Sequence, residues 1–170
     1  MEHVWLNICS MLLVFTVAIV SPGPNFILVV NRSLSDSRRT GFYSAFGVAT
    51  GSGVFAVAGL LGLLVLITTL PLFSAFIRYL GGGYLLYLGI TMVLTCRQPL
   101  PTSTKLAGMA PMPAKKAYWT GLMTNLTNPK AWAFYLSLFT LMIENHYPGW
   151  AKIFLAFSMF LISLGWYVLM

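Results

Sequence analysis

Lys130 sits inside an apolar stretch, directly after Asn125-Leu126-Thr127-Asn128-Pro129. An ionisable side chain at membrane depth is costly and by default marks function. Asn128-Pro129 reads as a helix start, with Asn as the N-cap and Pro in the first helical position. A helix start presents unpaired N–H groups and a partial positive charge, and Lys130 adds a full one, a combination that suits a carboxylate. A second interruption, Ser21-Pro22-Gly23-Pro24-Asn25, breaks the apolar run from Val4 to Val30. Proline lacks a backbone donor and clashes with the carbonyl four residues back, so Pro22 is expected to release the carbonyl of Ala18 and Pro24 that of Val20. Lipid cannot satisfy freed backbone groups, so such breaks survive only against protein or a water-filled cavity. Paired breaks of this kind make a candidate solute site. The candidate pathway residues are therefore Pro22, Gly23, Pro24, Asn25, Asn125, Asn128, Pro129 and Lys130. The competing readings are proline kinks without a ligand and a Lys130 that snorkels to the interface.

Other chemistries find little support. No Asp or Glu lies inside an apolar span, since Glu2, Asp36 and Glu144 fall at ends or in loops. A carboxylate proton relay is thus missing, and the positive end of a zwitterion would fall to carbonyls such as those of Ala18 and Val20, or to Asn and Tyr side chains. His3 and His146 are isolated, so no metal site is expected. No nucleophile–base pair and no phosphate loop occur, so neither an enzyme nor a cofactor is expected. Cys9 and Cys96 fall near opposite ends of different spans, which argues against an internal disulfide.

The elements that must position these residues are membrane helices. The chain has 170 residues, 58% hydrophobic and 8% charged, with a formal net charge of +7. Its mean hydropathy is +0.83. Soluble domains carry about 25% charged residues, whereas several runs here exceed the roughly 18 apolar residues that suggest a membrane helix. The expected fold is an all-α integral membrane protein forming one membrane domain over 1–170. Five spans can be drawn, at about 4–30, 42–68, 76–95, 118–142 and from 151 onward. The first and fourth are discontinuous. The N-terminus has no Lys or Arg before its apolar run and no small-residue cleavage site after it, so the first span is expected to be retained.

Charge sets the orientation. Arg32, Arg38 and Arg39 follow span one, and Arg97, Lys105, Lys115 and Lys116 follow span three. The positive-inside rule puts both groups in the cytoplasm and the N-terminus outside. The basic residues are thus explained without nucleic acid. Residues 98–117 form a Pro-rich cytoplasmic linker between a three-helix unit at 1–97 and an incomplete second unit at 118–170. An odd count of three allows a 3+3 inverted repeat, although no sequence repeat supports it. Pro24 lies about 9 Å and Asn125 about 10 Å from the cytoplasmic ends of their spans at 1.5 Å per residue. The two breaks are therefore expected to face each other. Gly47 and Gly51 make a small-xxx-small pair suited to close helix packing. Tyr84 and Tyr87 read as packing, and Trp5, Trp119 and Trp150 as an interfacial belt.

Several motifs carry a resemblance. Ser-Pro-Gly-Pro-Asn at 21–25, followed by an arginine-bearing loop, Gly41, Gly47 and Gly51, resembles the lysine exporter and threonine/homoserine exporter (LysE/RhtB type) family of amino-acid exporters. Gly82-Gly83-Tyr84-Leu85-Leu86-Tyr87-Leu88-Gly89 is similar to that family's third span, and Gly121 to Ala131 to its fourth. The resemblance implies an inner-membrane secondary transporter that exports small amino acids, threonine- or homoserine-like, driven by the proton gradient. It also implies six spans, so the chain reads as truncated at the C-terminus. Many relatives carry an acidic residue where Ser52 stands here, which leaves the coupling mechanism open. The expected partners are an amino-acid substrate and the lipid bilayer; a homo-oligomer is left open and nucleic acid is not expected. The alternative is an inactive exporter remnant or a non-transporting membrane assembly partner, to which the stop at Met170 points.

Overall fold

A computed structural model describes residues 2–59, 112–142 and 148–170, together with positions 75, 79, 83, 86, 87, 90 and 94. The end of the expected second span, most of the third, most of the linker, Tyr84, Cys96 and His146 lie outside the described residues. Six helices are described: α1 (Glu2–Val20), α2 (Pro24–Ser35), α3 (Arg38–Ala58), α4 (Ala114–Leu126), α5 (Pro129–Met142) and α6 (Gly149–Leu169). Among the described residues there is no strand. Helices α3 and α6 are each long and apolar enough to cross a membrane. Helices α1 and α2 qualify together as one broken span, bent by 56°. Helices α4 and α5 divide the expected fourth span at Thr127-Asn128. Both expected discontinuities are thus present.

Three expected boundaries move, among them the end of span one, which runs on to Ser35. Arg38 and Arg39 open α3, where span two was expected to start near 42, and Lys115 and Lys116 open α4 ahead of 118. Hydropathy sees only the apolar segment, but a helix continues past it wherever its end is capped. Ser37 caps α3 by accepting a hydrogen bond from Thr40 N–H at 3.1 Å. Arg32 belongs to the last turn of α2 and pairs with Asp36 at 3.0 Å. The connection between α2 and α3 is reduced to Asp36 and Ser37.

Helix α3 is the hub, packing most extensively on α4 and then on α6 and α2. Helices α3 and α4 begin at the same end, where the Thr40 hydroxyl donates to Met112 O at 3.4 Å. They run side by side because glycine removes side chains at the crossing. A Cβ on Gly47 would fall on the Tyr118 carbonyl, and one on Gly121 on the Ser44 carbonyl. Gly47 therefore does the packing job expected of it. Helices α1 and α6 share the opposite end, with the Trp5 and Trp150 rings 5.1 Å apart. Both tryptophans are about half exposed in the first turns of their helices, as a belt requires, whereas Trp119, equally exposed, lies midway along α4. The larger core cluster joins Ile8, Met11 and Phe15 of α1 to Phe134, Leu138 and Phe139 of α5 and to Leu155 and Met159 of α6. A smaller one joins Val29, Ala45, Val48 and Tyr167. The breaks lie where these two clusters meet. Tyr87 is exposed.

Candidate functional site

The first break is built by backbone chemistry. Helix α1 ends at Val20, Gly23 is extended at φ −163° and ψ −176°, and Pro24 opens α2 in its first turn. Proline costs nothing there, because its missing donor would be unpaired anyway. Ile27 N–H donates to Gly23 O at 3.0 Å to begin the new ladder. The carbonyl of Ala18, expected to be left without a donor, accepts from Ser21 N–H at 3.3 Å. The carbonyls that reach across to the other break are instead those of Ser21 and Pro22.

The second break follows its expected pattern. The Asn128 side-chain oxygen accepts from Lys130 N–H at 3.0 Å, so Asn128 caps α5 with Pro129 in the first position. Thr127 N–H donates to Met123 O at 2.9 Å and closes α4. The Leu126 carbonyl would otherwise be orphaned at the gap, and the Trp132 indole N–H donates to it at 2.7 Å.

The two breaks face each other and are tied twice. Lys130 Nζ donates to Ser21 Oγ at 2.8 Å, to Ser21 O at 3.3 Å and to Pro22 O at 3.4 Å. Its stem crosses Gly23, where an added Cβ would sit 3.5 Å from both Cδ and Nζ. The half-buried lysine reaches across from the start of α5 to the first break. Nearby, the Asn25 amide donates to Asn125 Oδ1 at 3.0 Å. Asn125 is almost fully buried, and its own amide donates to Val48 O at 2.7 Å and Ser52 Oγ at 3.2 Å. Ser52 Oγ lies 3.1 Å from Ser163 Oγ of α6. A neutral polar chain thus runs from α2 through α4 and α3 to α6.

Gly51 is the seat of that chain. A Cβ there would lie 2.8 Å from Asn125 Nδ2 and 3.0 Å from its Cβ. Close packing was the expected role, and the side chain it admits belongs to the site itself.

These groups line a cavity of about 50 Å³. At about 10–15 Å³ per water, that is room for a few waters. Ser21, Gly23, Asn25, Asn125, Asn128 and Lys130 line it together with Ser52, Tyr135 and Tyr167. Phe15, Ile19 and Phe134 supply apolar wall. Pro22, Pro24 and Pro129 do not line it; they shape the breaks that do. Two buried polar atoms, Asn25 Oδ1 and the Tyr135 hydroxyl, have no partner within hydrogen-bond distance. The Tyr167 hydroxyl is directed toward Asn25 and that of Tyr135 toward Ser52. No Asp or Glu is among the lining residues, and no cluster of metal-ligating side chains occurs among the described residues.

Ser52, Ser163, Tyr135 and Tyr167 were not among the expected pathway residues. Ser52 had one available signal, its position next to Gly51. Tyr135 follows Asn128 by seven residues, about two turns, so a helical projection of α5 would have put it on the face of the cap.

The chain's likeness to known proteins agrees with this architecture. The family model described as LysE type translocator matches residues 16–170. An uncharacterized membrane protein, YahN, of Escherichia coli (strain K12) is 32% identical over 154 residues, which cover 91% of this chain and 68% of that protein. The leucine efflux protein of Salmonella typhimurium is 31% identical over 147 residues, covering 86% of this chain and 68% of that protein. The threonine efflux protein of the same organism is 29% identical over 163 residues, covering 92% of this chain and 79% of that protein. No solved structure matches the chain. With its apolar helices, its broken spans and a family match over nearly all its length, the chain is a membrane protein that belongs to the LysE type translocator family.

Proposed function

We propose that the protein exports a small neutral amino acid, of threonine or homoserine type, from the cytoplasm across the cell inner membrane, driven by the proton gradient. The observation that carries this reading is the Lys130 ammonium held at the junction of two helix breaks beside a polar cavity. Lys130 and the start of α5 together receive the substrate carboxylate, with Asn128 fixing the direction of that helix start. Relatives named as leucine and threonine efflux proteins support amino acids as the cargo. A cavity of only about 50 Å³ supports the small end of that range, and its walls must part to admit a substrate.

Orientation rests on charge. Arg38 and Arg39 open α3 and Lys115 and Lys116 open α4, at the end these two helices share. The positive-inside rule then puts that end in the cytoplasm and the N-terminus outside. The cavity opens alternately to the two sides as the unit at 1–97 rocks against the unit at 118–170.

The test is efflux from cells expressing the full chain. Lys130→Ala and Asn128→Ala abolish threonine or homoserine efflux while each variant still reaches the membrane at normal abundance. Wild-type efflux from both variants would sink the reading.

A further inference from the structure

We infer that the acceptors now holding Lys130 are the subsite for the substrate's own α-ammonium group, and that the lysine occupies that subsite when the transporter is empty. This rests on the export reading above and adds a second recognition element to it.

The argument begins with what an ammonium needs. It has three N–H donors and no acceptor. Ser21 O, Ser21 Oγ and Pro22 O converge on Lys130 Nζ at 3.3, 2.8 and 3.4 Å. That is a three-acceptor cradle, and two of its members are carbonyls exposed by the first break. No carboxylate is among the described residues that line the cavity, so carbonyl and hydroxyl oxygens are the negative ends they offer to a cation. The cradle adjoins a cavity into which Asn25 Oδ1 and the Tyr135 hydroxyl present buried, unpartnered polar atoms. Buried polar atoms of this kind are ordinarily satisfied by a ligand or by water.

A zwitterion fits the arrangement as no monopolar ion does. Its carboxylate draws Lys130 Nζ away from the cradle, and its ammonium takes the vacated acceptors. One internal contact is exchanged for two external ones, and no charge is left unpaired. A carboxylic acid without an ammonium group would pull the lysine away and leave the cradle empty. An amine without a carboxylate would have to displace the lysine with nothing to receive it.

The experiment uses the full chain in proteoliposomes preloaded with threonine, with labelled threonine counterflow as the readout and leucine as a parallel series. Competitors are the matching α-hydroxy acid, N-acetylthreonine and threoninol, which is the amine lacking the carboxylate. The expected result is counterflow of the free amino acid, with each competitor at least about tenfold weaker than unlabelled threonine, the cost of one charge-assisted hydrogen bond. A hydroxy acid or N-acetyl analogue that competes within about threefold of threonine overturns the ammonium subsite and leaves amino-acid export standing. Absence of counterflow for every amino acid overturns both. The second arm is Lys130→Met, which keeps the stem and removes the resident ammonium. This variant is expected to bind threoninol, seen as protection against thermal unfolding that the wild type does not show. A folded Lys130→Met protein with no gain in threoninol binding overturns the inference. Should that variant not fold, the competitor series alone decides.

Discussion

Replacing Gly51 and Gly53 by alanine, one at a time, separates a glycine that the site needs from one that it does not. Both lie well inside α3, so the gain in helix propensity, about 1 kcal/mol, is common to both and cancels in the comparison. What remains is the space each Cβ meets. At Gly53 the nearest atoms are Phe160 Cβ at 3.7 Å and Cδ2 at 3.8 Å, an ordinary contact. At Gly51 the Cβ lies 2.8 Å from Asn125 Nδ2 and 3.0 Å from Asn125 Cβ. The asparagine cannot swing aside freely, because Nδ2 is held by Val48 O at 2.7 Å and Ser52 Oγ at 3.2 Å. If it stays, the overpacked contact costs about 1–3 kcal/mol. If it moves, the loss of two buried hydrogen bonds at about 0.5–1.5 kcal/mol each costs a similar amount. Either way Gly51→Ala falls below Gly53→Ala by about 1–3 kcal/mol, or roughly 2–12 °C in melting temperature for a chain of this size. The measurement is thermal unfolding of both variants in the same detergent, with efflux measured in cells. Because Asn125 also accepts from Asn25, efflux is expected to fall in Gly51→Ala and to persist in Gly53→Ala. Coincident melting and equal efflux would refute the placement of Asn125 against α3.

Two further glycine predictions use the same geometry. Gly47→Ala and Gly121→Ala set a methyl group against the backbone carbonyls of Tyr118 and Ser44, which have no rotamer to change. Both should destabilise more than Gly51→Ala, whereas Gly165→Ala, with nothing within 4 Å of the added Cβ, should melt slightly above the wild type, by the helix-propensity gain of about 1 kcal/mol. Gly23→Ala should retain folding and efflux although Gly23 belongs to the first break. Its backbone is extended at φ −163°, and the new Cβ would make only a 3.5 Å contact with the Lys130 stem. Loss of efflux in a folded Gly23→Ala protein would show that the lysine must move through that space.

The breaks were legible in the sequence because their cause is local. Proline without a donor, Asn as a cap and lysine one residue past a helix start are statements about neighbouring residues, and each holds in the structure. Their meeting was legible too, since distance from the basic loops gives a depth. What lay beyond reach depends on which face of one helix meets which face of another. Helix α3 is rich in Gly, Ala, Ser and Thr, so no apolar stripe marks its inner side. Ser52 and Ser163 are 111 positions apart and joined only by the packing of α3 on α6. Gly51 looked like one half of a helix-packing pair because its spacing to Gly47 says nothing of the asparagine seated on it. The direction of Lys130 was equally hidden, for an ammonium at the start of α5 satisfies the helix rules whether it turns outward or reaches across to Ser21.

Ser52 offers a last test, one that bears on energy coupling. The residues described around the cavity carry one full charge, that of Lys130, and a zwitterion adds none. The empty and the loaded cavity therefore both carry about one positive charge when the protein alternates. Moving an elementary charge through the whole field is worth about 2.3 kcal/mol per 100 mV, so an imposed potential should alter the exchange rate of the wild type. Ser52 is buried beside the Asn125 amide, which donates to it, and beside the Ser163 hydroxyl. Those two donors can hold a carboxylate in its charged form. Ser52→Asp should then bring the cavity charge close to zero and flatten the dependence of threonine counterflow on a valinomycin-imposed potential. Ser52→Asn, similar in size and neutral, should leave that dependence as it is in the wild type. Equal voltage dependence in the Asp and Asn variants would refute a charged carboxylate at position 52, and no dependence in either or in the wild type would mean that the charge of Lys130 does not travel across the field, so that alternation would have to occur around a lysine that stays fixed in the membrane.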